Sequence, residues 1–316
     1  MTSSTSSFPM PVHSKFSVGQ LLNSIGNASV QGDIDLKIES VSSPADAIEG
    51  GIVFVTKTGH ALSQLIEVSN ASVFVVPEPV DEKKVGNRCF VISVDPLAWF
   101  IRALGILLDE LDLHPFAYGQ DAYIDKDAII GSNVRIGLGT VIERGCVIGD
   151  RSVIGSNCFL GRNTIISEDA FIQNNASIGS VGLGYHIEKD GNRVFFPHLG
   201  KVIIGRSVVV GSGVVIVRGQ LNDTTIDDFV RLGNLVNVGH NVHIGAHTVL
   251  SSNVCVAGGA KIEPHCSIGA SAVVGPKLSI GSHSKVGLGS VVVKNVPANT
   301  SYFGNPAKPL PTMKDF

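Results

Sequence analysis

The chain has 316 residues, a formal net charge of −3 and 16% charged residues, with 36 glycines and only 6% aromatics. This length allows two or three domains, and the near-neutral balance with scattered Lys and Arg argues against a nucleic-acid partner. The five cysteines show no framework spacing, so they read as reduced thiols in a cytoplasmic protein.

The first element, 1–15, is rich in Ser and Thr without an apolar run and reads as a disordered tail rather than a signal peptide. From 16 to 95 short apolar runs alternate with turn signals. Val53–Val55, Ser72–Val76 and Phe90–Val94 read as strands and Leu62–Val68 as a helix, giving a small α/β domain. Asp95 and Pro96 then offer an N-cap and a first helical position. A linker helix is expected in 96–119, with Leu97, Ile101, Leu104 and Leu108 as an apolar stripe that docks on a neighbour, and Pro115 ends the segment. Its apolar run contains Arg102, Asp109 and Glu110 and is too short to span a bilayer.

Residues 120–296 carry an aliphatic residue at every sixth position. The beat runs from Ile124 to Ile178, resumes at Ile204, Val210 and Ile216, and continues from Ile226 to Val292. Neither a helix nor an alternating strand has this period. A hexapeptide repeat implies a β-solenoid of three short strands per turn, closed by corners made by small residues. About twenty-five hexads give roughly eight turns and, at ~4.8 Å per turn, a column on the order of 40 Å tall. Cys146, Cys158 and Cys266 fall in the inward small-residue phase and read as core filler. Two stretches break the beat, Ser180–Lys201 and the shorter RGQLNDTT. Insertions of this kind gather on a working face of a solenoid. A C-terminal tail occupies 297–316.

One turn is eighteen residues, so residues eighteen apart stack. The outward column Asn237, Cys255, Val273, Val291 is the least charged and is expected to pack against a second copy, with a homotrimer as the natural closed assembly. His240 lies just past this column. Asn234, Asn237 and Asn241 surround it in sequence, and Asn222 with Asp223 precedes it by eighteen and Gly258 follows it by eighteen. His247, His265 and His283 form another column. A metal or pH-sensing ladder and a plain exposed corner both fit it, and the plain corner is favoured because no carboxylate is interleaved to orient the rings.

The stretches GLGYHIEKDGNRVFFPHLGKVIIG, VRGQLNDT and NLVNVGHNVHIG, together with FSVGQLLNSIGNASVQGDIDLKIESVSSPADAIEGGIVFV, resemble the UDP-3-O-acylglucosamine N-acyltransferases of lipid A synthesis. The tail VVVKNVPANTSYFGNPAKPL resembles that of coenzyme A-dependent hexapeptide acetyltransferases. The resemblance implies a mainly β protein, a left-handed parallel β-helix trimer with an N-terminal nucleotide-recognition domain, and His240 as general base. The chain departs from the family pattern at Val217 and Gly233, where Asp is usual, and near Pro276, where a second histidine is usual.

The expected reaction is transfer of an acyl group, including 3-hydroxyacyl chains, from a phosphopantetheine thioester to the amine of a nucleotide-linked amino sugar. The donor is acyl-CoA or acyl carrier protein as co-substrate, with no permanently bound cofactor and no metal. UDP-3-O-acylglucosamine as the acceptor and a non-catalytic trimeric scaffold stand as alternatives. Gly258 is expected to supply an oxyanion N–H. Asn222, Asp223, Asn234 and Asn241 would contact the sugar, and Tyr185, His198 and Arg218 the nucleotide or its diphosphate. Lys294, Gly304, Asn305, Pro306 and Lys308 would contact the acyl donor.

Overall fold

The computed structural model describes residues 10–11, 16–110 and 121–310. The chain divides into two compact units, 1–115 and 116–316. Pro115, most of the expected N-terminal tail and the last six residues lie outside the described residues. Within that tail, Met10–Pro11 pairs antiparallel with Ser40–Val41, so these two residues are a strand rather than disordered.

The first unit is a six-stranded sheet. Its inner strands Ser40–Val41, Gly51–Phe54, Val73–Val76 and Cys89–Ile92 run parallel, and Ser29–Gly32 closes one edge antiparallel. Alternation divides the core: Val73 and Val75 pack with Trp99 on one side, while Phe74 and Val76 pack with Leu62 and Ile66 on the other. Three helices cover the sheet, α1 (Val18–Ile25), α2 (Gly59–Val68) and α3 (Pro96–Glu110). Ser17 and Gln20 form a capping box on α1.

Asp95 caps α3 through its side chain, which accepts from the Ala98 N–H at 3.0 Å. The buried stripe of α3 differs from the one expected. Trp99, Phe100, Ala103 and Leu107 are buried, whereas Leu97 and Ile101 are 41% and 57% exposed. Trp99 decides this: the large ring fills the core and its indole N–H donates to the Gly26 carbonyl at 3.2 Å.

The second unit is a three-faced prism of parallel strands. Face one has nine strands from Tyr123–Ile124 to Val291–Val292, and face two has eight from Ile129–Ile130 to Ser279–Ile280. Face three has ten, from Arg135–Ile136 up to the tail strands Ser301–Phe303 and Lys308–Pro309. Each repeating aliphatic points inward, and from Ile142 to Val292 these side chains form one buried column. At ~1.5–3 kcal/mol per buried aliphatic side chain, this column holds the fold.

The corners require left-handed backbone. Asn, which tolerates it, stands at many of them, including Asn157, Asn163, Asn175, Asn241 and Asn253. His247, His265 and His283 occupy the same strained position on the edge between faces two and three, with φ of 57–61°. Their rings stack at 4.9 and 4.7 Å, and Phe229 extends the stack below at 4.8 Å. Parallel rings direct their nitrogens side by side rather than at a common point.

Candidate active site

The edge between faces one and two carries His240. The residues stacked on it follow from strand register rather than from a fixed count. Val215 and Ile216 pair with Asn237 and Val238, a step of twenty-two, because RGQLNDTT contributes four extra residues. Arg218, not Asn222, therefore stands one turn below His240, and the loop after it bulges outward. Above, the register returns to eighteen, so Gly258, Pro276 and Lys294 follow on the same edge.

Asn241 fixes the His240 ring. Its Oδ1 lies 3.0 Å from His240 Nδ1 and also accepts from the Gln220 N–H at 3.1 Å. Its Nδ2 donates to the Asn222 carbonyl at 2.7 Å, and its own N–H donates to Thr224 Oγ1 at 2.9 Å. The amide oxygen can only accept, so Nδ1 carries the proton and Nε2 is left with a free lone pair. The bulged loop is thereby tied to the His240 ring through its backbone.

Gly258 lies against the other side of the ring. A Cβ built there would stand 2.6 Å from His240 Nε2. The Gly258 carbonyl accepts from Lys277 N–H, whereas its own N–H donates to no acceptor among the described residues. A base nitrogen and an unused backbone donor are thus adjacent, the arrangement acyl transfer needs.

His198, from the long insertion, forms the third side. Its ring is 5.7 Å from that of His240 at 77°, and it is 1% exposed. Nδ1 lies 3.0 Å from the Phe196 carbonyl, so it donates there, and Nε2 has no partner. Burial, more than anything else, pushes its protonation below the ordinary histidine range, with the His240 and Arg218 charges adding to the effect. Gly182 and Gly184 make room for the ring, because a Cβ at Gly184 would meet Cε1 at 2.8 Å.

Several of the expected site residues are engaged by the protein itself. Arg218 is 1% exposed, and its guanidinium donates to the Gly200 and Arg162 carbonyls at 2.7 and 3.3 Å. It clamps the insertion to the prism, so its guanidinium is engaged by the protein's own carbonyls. His198 is likewise buried, beside His240. Asn222 serves through its carbonyl, and Asp223 accepts from the Lys201 N–H at 2.9 Å. Tyr185 is exposed on the hairpin formed by Tyr185–Ile187 and Arg193–Phe195, with Arg193 over its ring.

Within one chain the structure does not gather the remaining residues at His240. Asn234 stands on the edge between faces three and one, a face's width away, where its Oδ1 accepts from Ser212 N–H at 2.9 Å. Gly304, Asn305 and Pro306 turn at that same edge, and Lys308 begins the returning strand beside them. The turn clamps Val291, whose N–H donates to the Gly304 carbonyl and whose carbonyl accepts from Ala307. It therefore caps the prism. Of the expected donor-binding residues only Lys294 shares an edge with His240.

Sequence reasoning missed the pairing of His198 with His240. The only signal was the GLG ahead of it, two glycines whose purpose appears once the ring is packed on them.

Comparison with known proteins agrees with this architecture. The family described as Bacterial transferase hexapeptide (six repeats) matches residues 127–162. A UDP-3-O-acylglucosamine N-acyltransferase of Delftia acidovorans is 38% identical over 91% of this chain and 85% of its own length. One of Coxiella burnetii is 35% identical over 77% of this chain and 75% of its own. Among solved structures, LpxA from Acinetobacter baumannii has a TM-score of 0.55 at 28% identity, covering 61% of this chain and 72% of that one. The UDP-N-acetylglucosamine acyltransferase of Francisella novicida has a TM-score of 0.56 at 23% identity, covering 61% and 69%. The prism is a left-handed parallel β-helix like theirs.

Proposed function

Since the chain belongs to the family of UDP-3-O-acylglucosamine N-acyltransferases, we propose that it transfers an acyl group from a phosphopantetheine thioester to the amine of a UDP-linked glucosamine in lipid A synthesis, with His240 as the general base. The chain is an N-acyltransferase, and a purely scaffolding role is set aside.

In this reading the sugar amine attacks the thioester carbonyl, forming C–N. The proton leaving nitrogen passes to His240 Nε2, the lone pair left free by the Asn241 contact. The negative charge on the former carbonyl oxygen is received by the Gly258 N–H. The tetrahedral intermediate collapses with cleavage of C–S, and His240 returns the proton to the pantetheine sulfur. General-base help of this kind supplies ~10²–10⁴-fold in rate, and a preorganised donor a comparable factor. The observation that carries the reading is the His240 ring oriented by Asn241 at Nδ1, with Gly258 against its Nε2 end and His198 edge-on beside it.

Assembly completes the site. Three copies closing on face one, through the column Asn237, Cys255, Val273 and Val291, would carry one copy's edge between faces three and one towards the His240 edge of the next. Asn234 and the turn at Gly304–Pro306 would then reach the base from a neighbouring copy, with Lys308 and Lys294 near donor phosphates. The N-terminal unit is assigned to nucleotide recognition. No helix of the described residues is long and apolar enough to cross a membrane. The enzyme is assigned to the cytoplasm as part of the same proposal, with diffusible co-substrates.

The test is acyl transfer by the full chain to UDP- and dTDP-linked amino sugars, with acyl-CoA and acyl carrier protein compared as donors. Turnover of a UDP-linked amine that vanishes with His240→Ala supports the reading, and undiminished turnover in that variant refutes it.

A further inference from the structure

Face two carries a second cluster of reactive side chains, one that shares no residue with the His240 site. Thr225, on the strand Thr224–Ile226, pairs with His243 on the strand His243–Ile244, one turn above. Each precedes an inward aliphatic, so both side chains stand on the outer surface of the face, half-buried. Thr225 Oγ1 lies 2.8 Å from His243 Nδ1. Across the ring, Asp227 Oδ2 is 3.6 Å from Nε2.

That last separation is too long for a hydrogen bond, but a carboxylate so close favours the tautomer with its proton on Nε2. Nδ1 then carries the lone pair, and the Thr225 hydroxyl donates to it. A hydroxyl held against an imidazole whose other nitrogen faces a carboxylate is the order of groups that activates an oxygen nucleophile. Neighbouring charges do not interrupt it. Lys261, one turn above His243, is drawn to Glu263 at 3.7 Å, and Asp228 is engaged by Arg206 at 2.7 Å.

Thr225 and Asp227 open into a pocket of about 400 Å³, lined also by Ile203, Asp228 and Ala246. The pocket supplies backbone donors. The Arg206 N–H donates to Asp228 Oδ1, one turn above it, at 2.9 Å. Asp228 in turn has Ala246 above it, which offers no side-chain oxygen. The Asp228 and Ala246 N–H groups therefore donate to no acceptor among the described residues. Nucleophile, base and unused donors share one opening. With Asp228 paired to Arg206, the Asp227 carboxylate leaves that opening with an excess of negative charge, which repels anionic acyl donors such as phosphate-bearing thioesters.

We propose that Thr225 and His243, with Asp227 as the positioning residue, form a second reactive site that hydrolyses short, uncharged acyl esters. The Thr225 oxygen attacks the ester carbonyl, forming a C–O bond, while its proton passes to His243 Nδ1. Cleavage of the ester C–O bond releases the alcohol, which takes that proton. Water then attacks the threonyl ester and gives a proton to His243. The threonine oxygen leaves, recovers that proton, and the carboxylic acid is released.

The experiment uses the full chain carrying His240→Ala, so that the first site does not contribute, with p-nitrophenyl acetate as the probe. A burst of p-nitrophenolate is expected and, by mass spectrometry of acid-quenched protein, one acetyl group on Thr225. Adding Thr225→Val should lower the rate about 10²-fold, the scale of general-base assistance, whereas Thr225→Ser should keep the activity. Asp227→Asn should slow acylation about tenfold through the wrong tautomer, and Asp227→Glu should restore it, which a packing role would not do. Undiminished hydrolysis in Thr225→Val, or acetylation that spares Thr225, would overturn the site. Should the valine variant not fold, equal rates in Asp227→Asn and its parent would overturn it as well.

Discussion

The His240 imidazole and the Gly258 backbone, one turn apart on one edge, are in such close contact that a methyl group at position 258 would stand 2.6 Å from the base nitrogen. The Gly258 backbone is not in the left-handed region, so alanine suits it conformationally. Gly258→Ala should therefore keep its fold, with stability lowered by no more than the ~1 kcal/mol of one hydrogen bond as the displaced ring leaves Asn241, and lose about 10²–10³-fold in kcat, the effect of displacing the base and screening an oxyanion donor. A loss of activity no larger than the loss of folded protein would show instead that the glycine serves only packing.

His240→Ala should reduce kcat by ~10²–10⁴-fold while the acceptor KM changes little, since the ring acts on the proton rather than on sugar binding. Asn241→Ala tests how the ring is oriented. Its side chain accepts from two groups and donates to a third, so its loss should lower both kcat and stability, the latter by about 1–3 kcal/mol for unsatisfied partners. Steady-state kinetics and denaturant melts of the two variants separate the roles.

His198 ties stability to pH. Burial holds its ring neutral in the folded chain, whereas the unfolded chain protonates it near the ordinary value of ~6.5. Above that value both states are neutral and nothing is lost. As pH falls below it the unfolded state binds a proton that the folded state refuses, so stability declines towards the depressed folded value. Thermal melts between pH 8 and 5 should show this decline, and His198→Gln should flatten it.

Thiol reactivity follows burial. Desolvation pushes the Cys89 thiol up to about 12 and raises Cys146, Cys158 and Cys266 as well. In the native protein a thiol reagent should leave these four untouched, because the thiolate is the reactive form. Cys255, half-buried on face one, is the exception. Its protection at high protein concentration and its exposure on dilution would report assembly through that face.

Gly219 tests the loop that carries Asn222. A Cβ there would lie 1.6 Å from the Asn222 carbonyl oxygen, which no side-chain rotation relieves. Gly219→Ala should destabilise by at least ~2 kcal/mol and detach Asn241 from its carbonyl partner, with activity falling alongside.

The prism was legible in the sequence because its period is set by geometry: an inward aliphatic residue is needed at each strand whatever the neighbours are. The N-terminal unit was legible in part. Three of its strands and α2 follow from apolar runs; α1 carries Val18, Leu21, Leu22 and Ile25 at helical spacing, which a search for continuous apolar runs passes over, and the Ser29–Gly32 strand carries little apolar signal. The α3 stripe was misread because a helical repeat gives the period but not the phase, and one tryptophan set the phase. At the site, Gly258 was reached by counting eighteen upward because the hexads there are uninterrupted. Counting downward reached Asn222 in place of Arg218, since loop residues lengthen the step without lengthening the coil. The burial of Arg218 and His198 is a tertiary fact: polar residues in an insertion give no local sign that the insertion folds over them.

The ladder of strands has a consequence for how distances along an edge can be altered. Every rung is locked to the next by main-chain pairing, so the span from His240 up to Lys294 can change only by whole coils. Removing or adding one coil between them would step that span by a single rung, with no intermediate setting. A column built this way sets its spacings as a gauge with fixed graduations does.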